Sequence, residues 1–544
     1  MSKVAHYLQE HLVGEVMYGT DARRYFATDA SILQVAPALV VYPRNENDIR
    51  KTARFTWQLA ERGRVIPITP RGSGTDETGA AIGSGIMLVF PAHMNRILEL
   101  DTKADTVTVE PGINFGKLQQ TLHTHGRFLP PYPTSIEYST IGGAVANNSS
   151  GEKSVKYGTM QKYVKGLRIV LANGEVIETG RLSKRELSKK LGLATFEGEI
   201  YRSVDTLIEE NKGLVESLKR KVFNNNVGYK LADVKLKDGS FDLTPLYMGS
   251  QGTLGIISEA TLTTEVHNPQ PHLMLAIFDN LESLQRAVID LQSSDESPSA
   301  LEFVDGNLLS AVNDLNPNQL KGIITAPFPA GVLLLEFDHS ERVAKKVQKR
   351  AKKILDDTAV SIQEASEPEQ QQLLWKLRQL SGAYIAHNDG EKRAIPLVAG
   401  VSVPLSQLSA YFDATYKLFE MIGVKPALWG HIGTGSLNLQ PHLNLAQVGD
   451  RQKAFRIMDD HYKLVISLGG TLAGDGAEGR LRAPYAEAMY GTEVYNLLQK
   501  VKHVFDPYST LNPGVKFGTS LDDVKAMLRS DYNFDHLYDH MPRS

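Results

Sequence analysis

RGSGTDETG at residues 71–79 and STIGGAVANNSSG at residues 139–151 decide how this chain is read. Each crowds glycines and small hydroxyl residues behind a short apolar run. Such a stretch leaves backbone N–H groups open and lets a ligand come close to the main chain. Concave sets of N–H groups bind phosphate oxygens, so two of them in one region point to a long ligand with a pyrophosphate at its middle. The usual fingerprints do not fit. Gly72 and Gly74 begin a G-x-G, but Glu77 stands where the third glycine belongs, and no G-x-x-x-x-G-K-[ST] occurs.

The surrounding pattern is strand, helix, strand. Residues 40–43 read as a strand. Residues 47–62 read as a helix, with apolar spacing at Ile49, Ala53, Trp57 and Ala60. Residues 65–68 are expected to be the strand that delivers the first glycine stretch. Strands at 86–90 and 106–109 and a helix at 115–125 lead to the second. A strand at 167–171 then meets an Asn173-Gly174 hairpin turn. Residues 182–222 are charged and helix-rich, an insertion before a third glycine cluster, GSQGTLGI at 249–256. From about 268 the pattern changes to strand–helix units at 273–291, 332–355 and 398–421, which predicts a ferredoxin-like α+β domain. The expected division is a helical lead-in at 1–35, a nucleotide-binding domain at 36–267, a second domain at 268–516 and a polar tail at 517–544.

At 544 residues the chain exceeds one core. A net charge of -3 gives no support to nucleic-acid binding. With 0 cysteines there is no disulfide, thiolate metal site or Cys-held iron–sulfur cluster in this chain. The N-terminus lacks an apolar signal region and no apolar run is long enough to span a membrane, so a cytoplasmic protein is expected. Asn147-Asn148-Ser149 fits a glycosylation sequon by accident of the glycine-rich loop. Lys345, Lys346, Lys349, Arg350, Lys352 and Lys353 lie on a helical pattern; a solvated face is the expected role, a peripheral contact with an anionic membrane or an acidic acceptor the alternative.

These three clusters, in this order, resemble the FAD-binding oxidoreductases of the vanillyl-alcohol oxidase (PCMH) type, and most of all their D-2-hydroxyacid dehydrogenase branch. The resemblance implies an α+β fold with a two-subdomain FAD-binding domain and a ferredoxin-like cap over the substrate. It places FAD against Arg71, Gly72, Ser73, Gly74, Thr75 and Gly79, then Pro133, Thr134, Ser135, Ser139 and Thr140. Gly142, Gly143, Asn147, Ser150 and Gly151 follow, with Tyr157, Gly158, Gly252, Gly255, Ile256 and Asn512. Covalently flavinylated relatives carry a histidine near the first loop; residues 71–76 have none, so non-covalent FAD is expected.

LWKLR at 374–378 resembles the family's L-W-x-x-R, which implies that Arg378 pairs with the substrate carboxylate, a task suited to a planar guanidinium. GHIGTGSLN at 430–438 resembles G-H-x-G-D-G-N-x-H, with His431 as the base for a hydroxyl proton. GGTLAGDGAEGR at 469–480 resembles G-G-T-[IL]-S-G-E-H-G-x-G, with Asp475 in place of the glutamate and Gly476 in place of the histidine. Many relatives hold a divalent metal here. The remaining candidates, His431, Asn438 and Asp475, supply one imidazole and one carboxylate, a poor set, so a metal is not the expected occupant. Residues 479–485 resemble a larger branch with a fused iron–sulfur domain, which this cysteine-free chain is expected to lack.

The function these residues imply is oxidation of a small 2-hydroxy acid, D-lactate or a related D-acid, by hydride transfer to flavin. Electrons would pass to an external acceptor: a quinone, an electron-transfer flavoprotein or a separate iron–sulfur subunit. The rival readings are an FAD subunit of a larger complex with decayed catalytic motifs, and an FAD enzyme for a different alcohol.

Overall fold

The computed structural model describes residues 2–293, 297–387 and 390–532. The first glycine stretch leaves a four-stranded sheet ordered Glu15–Met17, Leu39–Tyr42, Ile86–Val89, Ile68–Arg71. The last three strands are parallel. Their apolar runs, LVVY and IMLV, are what strands covered on both faces require. Helix Glu46–Ala60 starts at Asn45, whose side chain accepts the Asp48 N–H at 3.1 Å, and sets Ile49 and Ala53 against Leu39, Val41 and Ile68.

The strand expected at 65–68 runs instead from Ile68 to Arg71. Val65 is exposed, whereas the Ile68 amide donates to the Thr510 carbonyl at 2.7 Å and its carbonyl accepts the Asn512 amide at 2.8 Å. The pairing partner comes from the far end of the chain, which is how the C-terminal segment returns to this sheet. The lead-in is also richer than expected, with helices Ser2–His11 and Thr20–Tyr25 around the edge strand.

A second, antiparallel sheet has the order Ile97–Asp101, Thr106–Val109, Ile256–Thr263, Val164–Val170, Val176–Glu178. The predicted Asn173-Gly174 turn joins the last two strands, with Gly174 at φ +82°. Between them and the third glycine cluster come helices Lys184–Leu191, Phe196–Glu210 and Lys212–Ser217.

The third sheet has seven antiparallel strands: Ser361–Ala365, His272–Phe278, Gly331–Phe337, Ala300–Asp305, Leu428–Gly430, Ser436–Leu439, Val398–Ser402. Alternate side chains enter opposite cores. Met274, Leu333 and Leu335 meet the helices Leu281–Gln292, Glu341–Asp356 and Leu408–Ile422. Leu275, Val332 and Leu334 meet Leu374 and Leu377 of helix Pro368–Ala386 on the other face. That second face also receives Glu302, which alternates with the inward-facing Leu301 and Phe303. The described part of the tail is not a free strand of chain. Helix Leu521–Ala526 leads to Arg529, whose amide donates to the Ile32 carbonyl at 2.9 Å, and to Tyr532, buried near Ala30. Residues 533–544 of the tail lie outside the described residues.

Candidate active site

The three glycine loops and the second face of the seven-stranded sheet enclose a cavity of about 500 Å³. The loops are pressed together. A Cβ on Gly72 would come within 2.2 Å of Thr140 Oγ1, and one on Gly74, held at φ +78°, within 2.2 Å of Arg71 Nη2. Thr140 caps helix Ile141–Asn147 by accepting the Gly143 N–H at 3.3 Å. Gln251 donates to Asn147 Oδ1 and accepts the Gly479 N–H, both at 2.9 Å. Asn512 donates to the carbonyls of Ala80 and Gln251 at 2.9 and 2.8 Å. The loops therefore form one tied unit rather than separate turns.

This wall fits a dinucleotide. Arg71 lines it and donates from Nη1 to the Thr28 and Ala81 carbonyls, while its buried Nε and Nη2 have no hydrogen-bond partner among the described residues. A guanidinium edge beside close-packed glycines and hydroxyls suits phosphate oxygens.

Of the residues assigned to the cofactor from sequence, Arg71 through Thr75 line the cavity, as do Pro133, Thr134, Ser135, Ser139 and Thr140. So do Gly142, Gly143, Asn147, Gly252 and Gly255. The others sit behind this wall. Ile256 points into the core, and Ile257, one residue on and therefore on the opposite face of its strand, lines the cavity instead. Tyr157 donates its hydroxyl to Asp338 at 3.0 Å. Gly79, Gly151 and Gly158 lie outside the lining; a Cβ on Gly151 would strike the Tyr132 carbonyl at 2.0 Å. Ser150 and Asn512 act through hydrogen bonds that position other residues.

His431, Arg378 and Asp475 do come together, through a residue the sequence reading missed. Glu302 Oε1 lies 2.6 Å from His431 Nδ1, and Glu302 Oε2 lies 2.6 Å from Arg378 Nε. His431 Nε2 is 3.6 Å from Asp475 Oδ2 and has no hydrogen-bond partner among the described residues. Asp475 lines the cavity and accepts the Ser150 hydroxyl at 2.8 Å. Arg378 reaches the wall at Thr134, donating to Oγ1 at 2.5 Å. His431 and Arg378 are thus set just behind the lining, with Asp475, Thr134 and Ser381 in front of them. The signal for Glu302 was a carboxylate in the middle of ALEFVD, a wholly buried strand in which Ala300, Leu301, Phe303 and Val304 around it are apolar.

Burial alone would raise the Glu302 carboxyl; the charges of His431 and Arg378 outweigh it and hold the group below its ordinary value. Burial alone would lower His431; the Glu302 carboxylate outweighs that and holds the imidazole above its ordinary value. Glu77, also on the cavity wall, is pushed up to about 7 by burial, with Arg482 acting against it. The third metal candidate, Asn438, spends its carbonyl on the Gly400 N–H at 2.7 Å. Among the described residues no group of three His, Cys, Asp or Glu side chains is placed to hold a metal ion.

A sheet pair carries three tied glycine loops and is roofed by an antiparallel sheet with a buried His–Glu–Arg array, an arrangement suited to a dinucleotide cofactor beside a polar corner. The chain belongs to the FAD-linked oxidases: residues 37–180 match the FAD binding domain family and residues 269–515 match the family "FAD linked oxidases, C-terminal domain". It is 29% identical to a D-2-hydroxyglutarate dehydrogenase of Pantoea ananatis over 95% of this chain. It spans about half of that relative, 51% of its length. It is 28% identical to the glycolate oxidase subunit GlcD of Bacillus subtilis, covering 93% of this chain and 92% of that one. A 4-ethylphenol oxidase from Gulosibacter chungangensis shares the fold, with a TM-score of 0.66 at 13% identity over 96% of this chain and 98% of its own.

Proposed function

We propose that the protein oxidises a 2-hydroxy acid, of D configuration, to the 2-oxo acid. The observation that carries this is the buried corner in which one carboxylate, Glu302, grips both His431 and Arg378 at the edge of the cavity. The relatives named for D-2-hydroxyglutarate and glycolate, both 2-hydroxy acids, support it. Converting R–CH(OH)–COO⁻ to R–CO–COO⁻ removes a hydride from C2 and a proton from the hydroxyl. FAD would be held by the loops at residues 71–75, 140–143 and 251–252 and would supply the acceptor for the hydride. His431 takes the hydroxyl proton at Nε2, while Glu302 accepts at Nδ1–H and so fixes the tautomer and strengthens the base. Arg378, held at Nε by Glu302 and at Nη2 by Thr134, supplies the guanidinium that pairs with the substrate carboxylate at this wall. Asp475 lies between His431 and the cavity and orients the hydroxyl or relays its proton.

The cavity lining contains no histidine or cysteine among the described residues, which supports non-covalent FAD. An external acceptor, a quinone, electron-transfer flavoprotein or iron–sulfur subunit, completes the cycle. No described helix is long and apolar enough to cross a membrane; a cytoplasmic protein with at most a peripheral membrane contact is the reading we favour. The test is anaerobic bleaching of the bound flavin by a panel of D- and L-2-hydroxy acids. Rapid bleaching by D-acids is expected. Flavin that dithionite reduces but no hydroxy acid does would overturn the reading in favour of a catalytically decayed subunit or another alcohol as substrate.

A further inference from the structure

The cavity continues past the catalytic corner along the helix that carries Arg378. Ser381, Gly382 and Ile385 follow Arg378 at the three, four and seven spacing of one helix face, and all three line the cavity. Gly382, at the exposed mouth of the cavity, has nothing within 4 Å of where a Cβ would stand. Trp429 lines the same space and packs on Tyr384 of that helix, with ring centroids 6.0 Å apart. Beside Asp475, Gly476 at φ +72° again leaves nothing within 4 Å of a Cβ. The chamber is thus walled by an aromatic ring, an aliphatic side chain and residues with almost no side chain.

Its charges point the same way. The arginines in the lining are Arg71, on the first loop, and Arg482, which donates to the carbonyls of Leu472, at 2.6 Å, and Ala399. No lysine or histidine lines it among the described residues, whereas Asp76, Glu77 and Asp475 do. A carboxylate at the far end of a substrate would be taken out of water in a space whose lining carries three acidic side chains, with Arg71 set among the glycine loops and Arg482 turned to backbone carbonyls.

Resting on the reading above, in which Arg378 holds the substrate carboxylate, we propose that the substrate is a 2-hydroxy monocarboxylate with a branched or aromatic apolar substituent, and not a dicarboxylate. With the carboxylate on Arg378 and C2 at His431, the substituent runs along Gly382 and Ile385 toward Trp429. Each methylene that finds such a wall is worth about tenfold or more in selectivity.

The test is anaerobic stopped-flow flavin reduction of the holoprotein by D-lactate, D-2-hydroxy-4-methylpentanoate, D-3-phenyllactate and D-2-hydroxyglutarate, compared as second-order rate constants. One of the two apolar acids should exceed D-lactate by about tenfold or more, with D-2-hydroxyglutarate lowest. Gly382→Leu, in a helix where leucine is favoured over glycine, should lower the apolar-to-lactate ratio at least tenfold while FAD content is kept. Fastest reduction by D-2-hydroxyglutarate or D-lactate would overturn the proposal and leave the 2-hydroxyacid reading standing. An unchanged ratio in Gly382→Leu would also overturn it, because the wild-type preference would then arise elsewhere. Reduction by none of the acids would sink both.

Discussion

Replacing Glu302 by glutamine keeps its shape and removes the charge that His431 and Arg378 share. The reacting ring must be neutral, and Glu302 favours its protonated form. Flavin reduction by substrate should therefore rise with pH through a value above the ordinary imidazole pKa. In Glu302→Gln, with burial and Arg378 left to act, the rise should move to lower pH. A pH profile of the reduction rate that is identical in both proteins would remove Glu302 from the mechanism. The stability side of the pair has two limits. The His431 contribution is full below the ordinary imidazole value and fades as pH rises through the raised one. The Glu302 contribution is full above the ordinary carboxylate value and fades as pH falls through the depressed one. His431→Ala should slow reduction by about 10²- to 10⁴-fold with FAD still bound, as measured by stopped flow. At this scale the motifs singled out His431, Arg378 and Asp475, which the fold brings near one another. The sequence hid Glu302, because a strand residue acquires its partners from elements far away in the chain.

The glycine loops work as elements, by packing on each other. Gly72→Val would drive a side chain into Thr140, since even a Cβ falls 2.2 Å from its hydroxyl. The variant should fold and purify with much less flavin, read as the flavin-to-protein ratio in the absorption spectrum; full FAD occupancy would show that the loops tolerate separation. The loops were legible from composition because glycine and hydroxyl crowding is a local property. Which strand face meets the ligand was not. Ile256 and Ile257 look alike in sequence, and one sits in the core while the other lines the cavity. The strand at Ile68–Arg71 was misplaced for a related reason: its hydrogen-bond partners, Thr510 and Asn512, are supplied by the returning C-terminal segment.

At the scale of the whole molecule, buried ion pairs join segments that are far apart in the chain. Lys516 and Glu478, both fully buried, meet at 2.6 Å, and Glu478 also accepts the Gly228 N–H at 2.6 Å. Glu478→Gln would leave a buried ammonium without its counter-charge and should cost about 3–5 kcal/mol by denaturant titration. Lys153 pairs with Glu336, and Lys156 with Asp338 at 2.5 Å, which fastens the nucleotide side to the seven-stranded sheet. The α+β class was readable from strand and helix periodicity. The order of the seven strands was not, because antiparallel neighbours there are often distant in sequence, as Ala300–Asp305 and Leu428–Gly430 are.

The most direct test is an anaerobic single turnover of the holoprotein with the preferred D-2-hydroxy acid, following flavin absorbance and product together. One 2-oxo acid formed for each flavin bleached is the expected result, with the L-acid inert. Bleaching without 2-oxo acid, or no bleaching of a flavin that dithionite reduces, would contradict oxidation at C2 by this site.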